Sequence, residues 1–235
     1  MNLVIIGHFP ADTDTQIRAF FPADWEVSIT ESNLAGPYLQ NADALIPEHI
    51  PIGPSFLDKA PKLRMIQTGA GYDNVDLAEC TRRSILVCSA AGVNTAAVAE
   101  HTMALILGWF KNIVYLDSFL KAHRDSRELR YSGGELCGKT AGIIGLGAIG
   151  QRVSSLCRAF GMNVLGYTRH PKSVQGVEAV SLDELLARSD VVSIHVPATS
   201  ETRHMIGRQA FQKMKPSAVL VNTARGSVVH EEALI

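Results

Sequence analysis

The sequence predicts an α/β protein built from two parallel sheets covered by helices. Short apolar runs alternate along the chain with stretches of helical character, the pattern of successive strand–helix–strand units. One such run, Ala141 to Ile144, leads directly into a glycine-rich turn and the start of a helix. The composition allows it: 235 residues, 46% apolar and 19% charged, supply a sizeable core and one large or two modest domains.

In chain order, Leu3 to Ile6 is apolar and closes on Gly7, a strand-then-turn signal. A polar helix follows from about Asp12 to Phe21, stopped by Pro22. Trp25 to Thr30 alternates as a second strand. Leu34 to Asn41 reads as a short helix, and Ala42 to Ile46 as a third strand ended by Pro47. Leu57 to Leu63 leads into the fourth strand, Arg64 to Thr68, and Ser84 to Cys88 is the fifth. Residues 1–94 therefore form a small α/β domain, flavodoxin-like in type. After its fourth strand, Gly69 and Gly71 free backbone N–H groups for a small anion nest that suits a carboxylate. The competing reading is a plain glycine turn capped by Asp73. After the fifth strand, Asn94 or Thr95 caps one long helix, about Ala96 to Ala122, with Val98, Thr102, Leu105, Ile106 and Trp109 at helical spacing. Glu100 and His101 read as a satisfied pair within that packed helix. His123 to Gly138 reads as a surface connection.

Residues 95–235 make the second domain, opened by Thr140 to Val153. Gly145, Gly147 and Gly150 stand at G-x-G-x-x-G spacing, and each answers a separate need. The first permits a tight turn out of the strand, the second lets a pyrophosphate approach the backbone, and the third lets the helix pack close to the sheet. The N–H groups opening that helix lack internal partners, and the helix dipole favours an anion there by about 0.3–1 kcal/mol. The chain continues with strands at Asn163 to Tyr167, Val177 to Val180, Asp190 to His195 and Ser217 to Asn222, and helices at Ser181 to Arg188 and Gly207 to Met214. A Rossmann-like sheet of order 3-2-1-4-5-6 makes Ser217 to Asn222 its fifth strand. This domain is then expected to lack its last strand, leaving Val219, Leu220 and Val221 on a bare edge, a template for aggregation. Thr223-Ala224-Arg225-Gly226 leaves at the carboxyl end, the rim where ligands of open α/β sheets bind.

Other classes find little support. A net charge of −1 offers nothing to nucleic acid or an anionic membrane. Cys80, Cys88, Cys137 and Cys157 lack C-x-x-C spacing, which fits a reducing cytoplasm and argues against a disulfide framework or a zinc site. The N-terminus has no basic region before its apolar run, so it reads as a strand rather than a signal peptide. Met103 to Leu107 is too short to span a bilayer.

With these motifs in place, the sequence resembles the D-isomer-specific 2-hydroxyacid dehydrogenases, the family of glyoxylate/hydroxypyruvate reductases and phosphoglycerate dehydrogenase. Five ordered motifs carry the likeness: Gly69 to Asp76, Asn94 to His101, the glycine fingerprint, His195 to Arg203, and Val221 to Gly226. The resemblance implies two similar domains with a small 2-oxo or 2-hydroxy acid in the cleft between them, and a homodimer formed through the helix near residues 96–122. It implies that Ala70 and Gly71 offer N–H groups to the substrate carboxylate, that Asn94 lines the pocket, and that Arg225 is catalytic, holding the carboxylate and the keto oxygen. A guanidinium suits that role, being planar and permanently charged. The bland alternative for Arg225 is a surface turn. Cofactor contacts are expected from Gly145, Leu146, Gly147, Ala148, Ile149, Gly150, Thr168, Arg169, His195, Val196, Pro197, Thr202, Thr223 and Ala224.

Two departures from the family pattern stand out. Where an acidic residue usually meets the adenosine ribose, this chain has Thr168 followed by Arg169 and His170, which suits NADP(H). Alternatively, Arg169 faces solvent and NAD(H) is used. The family's catalytic histidine and its acidic partner also lie downstream of the Arg225 motif, whereas this sequence stops at Ile235 within an incipient helix. No histidine present stands in the catalytic position, and His195 is assigned to the cofactor rim. The expectation is either part of a longer reductase or a truncated, inactive relative acting as a nucleotide-binding or dimer-partner module.

Overall fold

The computed structural model describes residues 1–10, 12–48, 50–123, 133–170 and 172–235. The chain divides into two compact units, Met1–Val93 and Asn94–Ile235.

The first unit runs β1 (Asn2–Ile6), α1 (Asp14–Arg18), β2 (Glu26–Thr30), α2 (Gly36–Leu39), β3 (Ala44–Pro47), α3 (Pro54–Leu57), β4 (Met65–Thr68), α4 (Leu77–Arg82) and β5 (Leu86–Ser89). Its sheet has the order β2-β1-β3-β4-β5, with parallel pairing throughout, the flavodoxin-like arrangement. Successive side chains of β1 point to opposite faces. Val4 and Ile6 join Leu45, Ile52, Leu57 and Ile66 in one core, and Leu3 and Ile5 join Val27 and Ala44 in the other. Both faces are covered, so the strand is apolar without alternation. Helix α4 is absent from the sequence reading. Asp76 caps it, its carboxylate accepting from the Glu79 N–H at 2.9 Å. Expected to donate from a nest, Gly69 and Gly71 do not appear among the left-handed glycines, which are Gly92, Gly138, Gly145, Gly161 and Gly176. The αR–αL alternation of a nest is therefore not formed there.

The second unit runs α5 (Thr95–Phe110), α6 (Ile113–His123), β6 (Thr140–Ile144), α7 (Ala148–Ala159), β7 (Asn163–Tyr167), β8 (Glu178–Ala179), α8 (Leu182–Arg188), β9 (Val191–Ile194), α9 (Arg208–Lys213), β10 (Val219–Asn222), a 3-10 turn (Gly226–Val228) and α10 (Glu231–Leu234). The sheet order is β10-β9-β6-β7-β8, all parallel. Read from β8, that is 3-2-1-4-5 of a Rossmann-like sheet. Among the described residues β10 pairs only with β9. The buried strands β6 and β9 carry Ala141, Ile143, Ile144, Val191, Val192 and Ile194, all at 0% exposure. Helix α7 buries Gly150, Val153, Ser154 and Cys157 against this sheet and α5, where the Cys157 Sγ lies 3.8 Å from Met103 Sδ. A capping box at Ser181 and Glu184 starts α8.

The single helix expected over 96–122 is corrected to two. Helices α5 and α6 meet at a bend of 56°. Asn112 is left-handed there, with φ 50°, and Lys111 and Asn112 donate back to Leu107 and Trp109, closing α5. Asparagine tolerates that conformation better than most residues and so ends helices. No single described helix is long and apolar enough to cross a membrane. The connection expected from His123 to Gly138 falls largely outside the described residues.

Candidate functional site

At the end of β6 the three glycines differ in what surrounds them. Gly145 is left-handed at φ 96°, and a Cβ on it would stand 2.6 Å from the His195 carbonyl oxygen and 2.9 Å from Val196 Cγ1. A Cβ on Gly150 would fall on the carbonyl oxygen of Gly145. The fold itself thus requires both glycines, one for the turn and one for close helix–strand approach. Gly147 is different: its φ is −70°, and a Cβ there would meet nothing within 4 Å. Nothing among the described residues asks for glycine at 147, whereas a ligand lying on the backbone would.

Gly147 is also the N-cap of α7, with no side-chain cap. The N–H groups of the first turn are thus left for an anion. Gly147 and Ala148 are exposed, Ile149 is half-buried and Leu146 is 3% exposed. The Leu146 side chain packs in the core, so only its backbone can face a ligand. Gln151 braces the turn by donating from Nε2 to the Leu146 carbonyl at 2.9 Å, and the Gly145 N–H donates to Tyr167 O at 2.8 Å.

The neighbouring strand ends supply the rest of the rim. Thr168 is half-buried after β7, and Arg169 is exposed. Arg169 ion-pairs through Nη1 with Glu201 and donates from Nε to His170 Nε2 at 3.3 Å. After β9, His195 Nε2 lies 2.8 Å from the Ser193 Oγ. Burial pushes this imidazole down to about 4, so the ring is neutral at neutral pH. The loop beyond it is fixed by Thr202, whose Oγ1 donates to the Pro197 carbonyl at 2.6 Å and accepts from the Thr199 N–H at 2.9 Å.

At the end of β10, Thr223 Oγ1 lies 3.0 Å from Thr102 Oγ1, tying the strand to α5. The Asn222 side chain accepts from the Ala224 N–H at 3.0 Å and donates to the Arg225 carbonyl at 2.9 Å. This closed turn, followed by buried Val228 and Val229, holds the backbone of Arg225 while its side chain emerges exposed. One guanidinium nitrogen donates to the Ala224 carbonyl at 3.0 Å.

Gly145 to Gly150, Thr168, Arg169, His195 to Pro197, Thr202 and Thr223 to Arg225 therefore all lie at or just beyond the carboxyl ends of β6, β7, β9 and β10. Asn94 is the N-cap residue of α5 in the same unit, yet its side chain makes no cap hydrogen bond, and the Thr95 hydroxyl is buried without a partner. The expected side-chain cap is therefore not formed. Ala70 and Gly71 belong to the first unit, half-buried in the loop after β4, where Ala90 donates to the Gly69 carbonyl at 2.9 Å. A cleft of about 350 Å³ opens elsewhere, lined by Trp109, Phe110, Lys139, Asp190 and Ser217 among others. It lies where β6, β9 and β10 begin, away from the glycine rim. Sequence reasoning missed Glu201, Ser193 and Gln151. Only Gln151, directly after the third glycine, carried a local signal.

Comparison with known proteins agrees with this geometry. Residues 103–235 match the family described as D-isomer specific 2-hydroxyacid dehydrogenase, NAD binding domain. The chain is 42% identical over 191 residues to glyoxylate reductase of Thermococcus litoralis, covering 77% of this chain and 58% of the relative. It is 44% identical over 184 residues to D-3-phosphoglycerate dehydrogenase of Methanocaldococcus jannaschii, covering 76% and 35%. The chain thus spans from about a third to under two thirds of these relatives' length. Among solved structures, D-lactate dehydrogenase from Aquifex aeolicus, complexed with NAD and lactic acid, superposes with a TM-score of 0.92 at 34% identity, over 99% of this chain and 72% of that one. An acyclic imino acid reductase in complex with NADPH and D-Arg gives 0.86 at 29% identity, over 100% and 78%. The profile match, the sheet order and the glycine geometry converge: the chain belongs to the D-isomer specific 2-hydroxyacid dehydrogenase family, and residues 103–235 to its NAD-binding domain.

Proposed function

We propose that the protein is a 2-oxoacid reductase that prefers NADP(H) and works on a small substrate of the glyoxylate or hydroxypyruvate class. The observation that carries this reading is Gly147, a glycine the fold does not need at the mouth of an uncapped helix. The residues present fit a dinucleotide. Gly147 and the first turn of α7 would hold the pyrophosphate, Thr168 and Arg169 the adenosine ribose and its 2′-phosphate, and His195 to Pro197 with Thr223 and Ala224 the nicotinamide end. When bound, the cofactor supplies a hydride for C2 of the substrate. Arg225 would orient the carboxylate and stabilise the negative oxygen that develops at C2. Ala70, Gly71 and Asn94 are proposed to contact the substrate. His195 is not the proton donor, because its Nε2 is engaged with Ser193 and burial keeps it unprotonated.

We further propose a homodimer through α5 and α6. Trp109 is 66% exposed, Ile113 55% and Val114 76%, an apolar face of the kind that marks an interface. The four free cysteines support a reducing, cytoplasmic location.

The test is oxidation of NADPH and of NADH with glyoxylate, hydroxypyruvate or pyruvate by the chain extended with the downstream segment of a related enzyme, followed optically, with the glycerate or lactate product resolved on a chiral column. Turnover that favours NADPH and yields one enantiomer is expected. Turnover with NADH alone would remove the cofactor preference, and no turnover with any 2-oxo acid would remove the activity.

A further inference from the structure

We propose that Glu201 is a specificity-determining residue, an intramolecular rival of the cofactor's 2′-phosphate for the Arg169 guanidinium. The proposal rests on the reading of Arg169 as the 2′-phosphate contact. The order β9-β6-β7 places the two loops on either side of β6. A side chain from the loop after β7 therefore meets one from the loop after β9 across the end of the glycine strand. Arg169 and Glu201 make that contact through Nη1. An acidic group thus reaches Arg169 from the loop after β9, 32 residues away.

The loop that presents Glu201 is fixed. Thr199 and Thr202 exchange backbone-to-hydroxyl hydrogen bonds of 2.9 and 3.3 Å, and Thr202 also donates to the Pro197 carbonyl. A carboxylate on a fixed turn loses less freedom on pairing than one on a loose loop. Arg169 keeps capacity for a third partner: Glu201 takes Nη1 and His170 accepts from Nε, which leaves Nη2 of its five-donor fork. A 2′-phosphate can therefore reach the guanidinium, but only beside a carboxylate of like charge. An NAD(H) ribose carries no such charge and meets no repulsion from the carboxylate. Glu201 thus holds the NADP(H) preference below what Arg169 alone would give, and it lets both cofactors bind. The two side chains are 66% and 62% exposed, so solvent limits the size of the effect. An exposed pair is worth at most about fivefold, and repulsion of the phosphate adds to it.

The experiment is a fluorescence titration of NADPH and NADH against the wild type, Glu201→Gln, Glu201→Ala, Arg169→Ala and the Glu201→Gln/Arg169→Ala double variant, at low and high salt. Both Glu201 variants should bind NADPH about three- to tenfold more tightly and NADH within about twofold of wild type. The gain should shrink at high salt and in the Arg169→Ala background. An unchanged NADPH-to-NADH ratio in both Glu201 variants, with both cofactors bound by the wild type, overturns this proposal and leaves the cofactor reading intact. Weaker NADPH binding also overturns it, because Glu201 would then contact the cofactor directly. A wild type that binds neither dinucleotide overturns the proposal and the cofactor reading together.

Discussion

Replacing Gly147 by alanine should separate binding from folding. The backbone at 147 is extended, with φ −70°, a conformation any residue adopts, and a Cβ meets nothing within 4 Å, so no clash opposes the change. Two smaller effects then compete. Alanine restricts the unfolded chain, stabilising by about 0.4–1 kcal/mol. It is also a poorer N-cap than glycine, which costs a comparable amount, about 0.5–1 kcal/mol. Net stability should move by less than about 1 kcal/mol, or about 2–4 °C in Tm for a chain of this size. The same methyl stands in open space at the N-cap of α7, where the proposed pyrophosphate would lie. Displacing a pyrophosphate from one or two charge-assisted hydrogen bonds should weaken either dinucleotide by about 1.5–3 kcal/mol, roughly ten- to a hundredfold. Gly150→Ala is the control. Its Cβ would collide with the Gly145 carbonyl, and overpacking of this kind costs about 1–3 kcal/mol. Thermal melting and cofactor titration on the same preparations give both quantities. Wild-type affinity in Gly147→Ala would refute the reasoning, and so would a large loss of Tm, because glycine would then be serving the fold.

Three further outcomes are expected. In a chain extended with the downstream segment of a related enzyme, Arg225→Lys keeps the charge and loses the planar fork, so kcat/KM for a 2-oxo acid should fall by about 10²–10³ with little change in cofactor affinity; unchanged turnover would make Arg225 a surface residue. His195, pushed down to about 4 by burial, should show no imidazole titration above pH 5 by NMR. The unfolded chain takes up that proton near pH 6.5 and the folded chain does not, so the contribution is full above about pH 6.5 and falls by up to about 3 kcal/mol toward pH 4. His195→Gln should flatten that limb of the stability profile. Val114→Asp, at a site 76% exposed, should shift sedimentation from dimer to monomer; a wild type already monomeric would remove the dimer proposal.

Much of the architecture was legible because parallel strands buried on both faces read as uninterrupted apolar runs, as in β1, β6 and β9. The glycine spacing named the rim, and the structure supplies what spacing cannot: which glycines the fold needs and which one it leaves to a ligand. The errors have local causes. Helical periodicity carries through Lys111 and Asn112, so the break appears only in the left-handed backbone of Asn112. Helix α4 is short, and its signal was the D-x-x-E pattern of Asp76 and Glu79, hidden behind a glycine-rich loop. Glu201 could not be paired with Arg169 from sequence, because strand order, not chain order, brings their loops together.

The central claim is that a nicotinamide dinucleotide lies on the carboxyl-end rim of the second sheet. Amide hydrogen exchange with and without saturating NADPH tests it most directly. Protection should gather at Gly145 to Gly150, at Thr168 and Arg169, and at His195 to Thr202. Protection gathered instead at Trp109, Lys139, Asp190 and Ser217, around the cleft where the strands begin, would contradict the account, as would no protection at all.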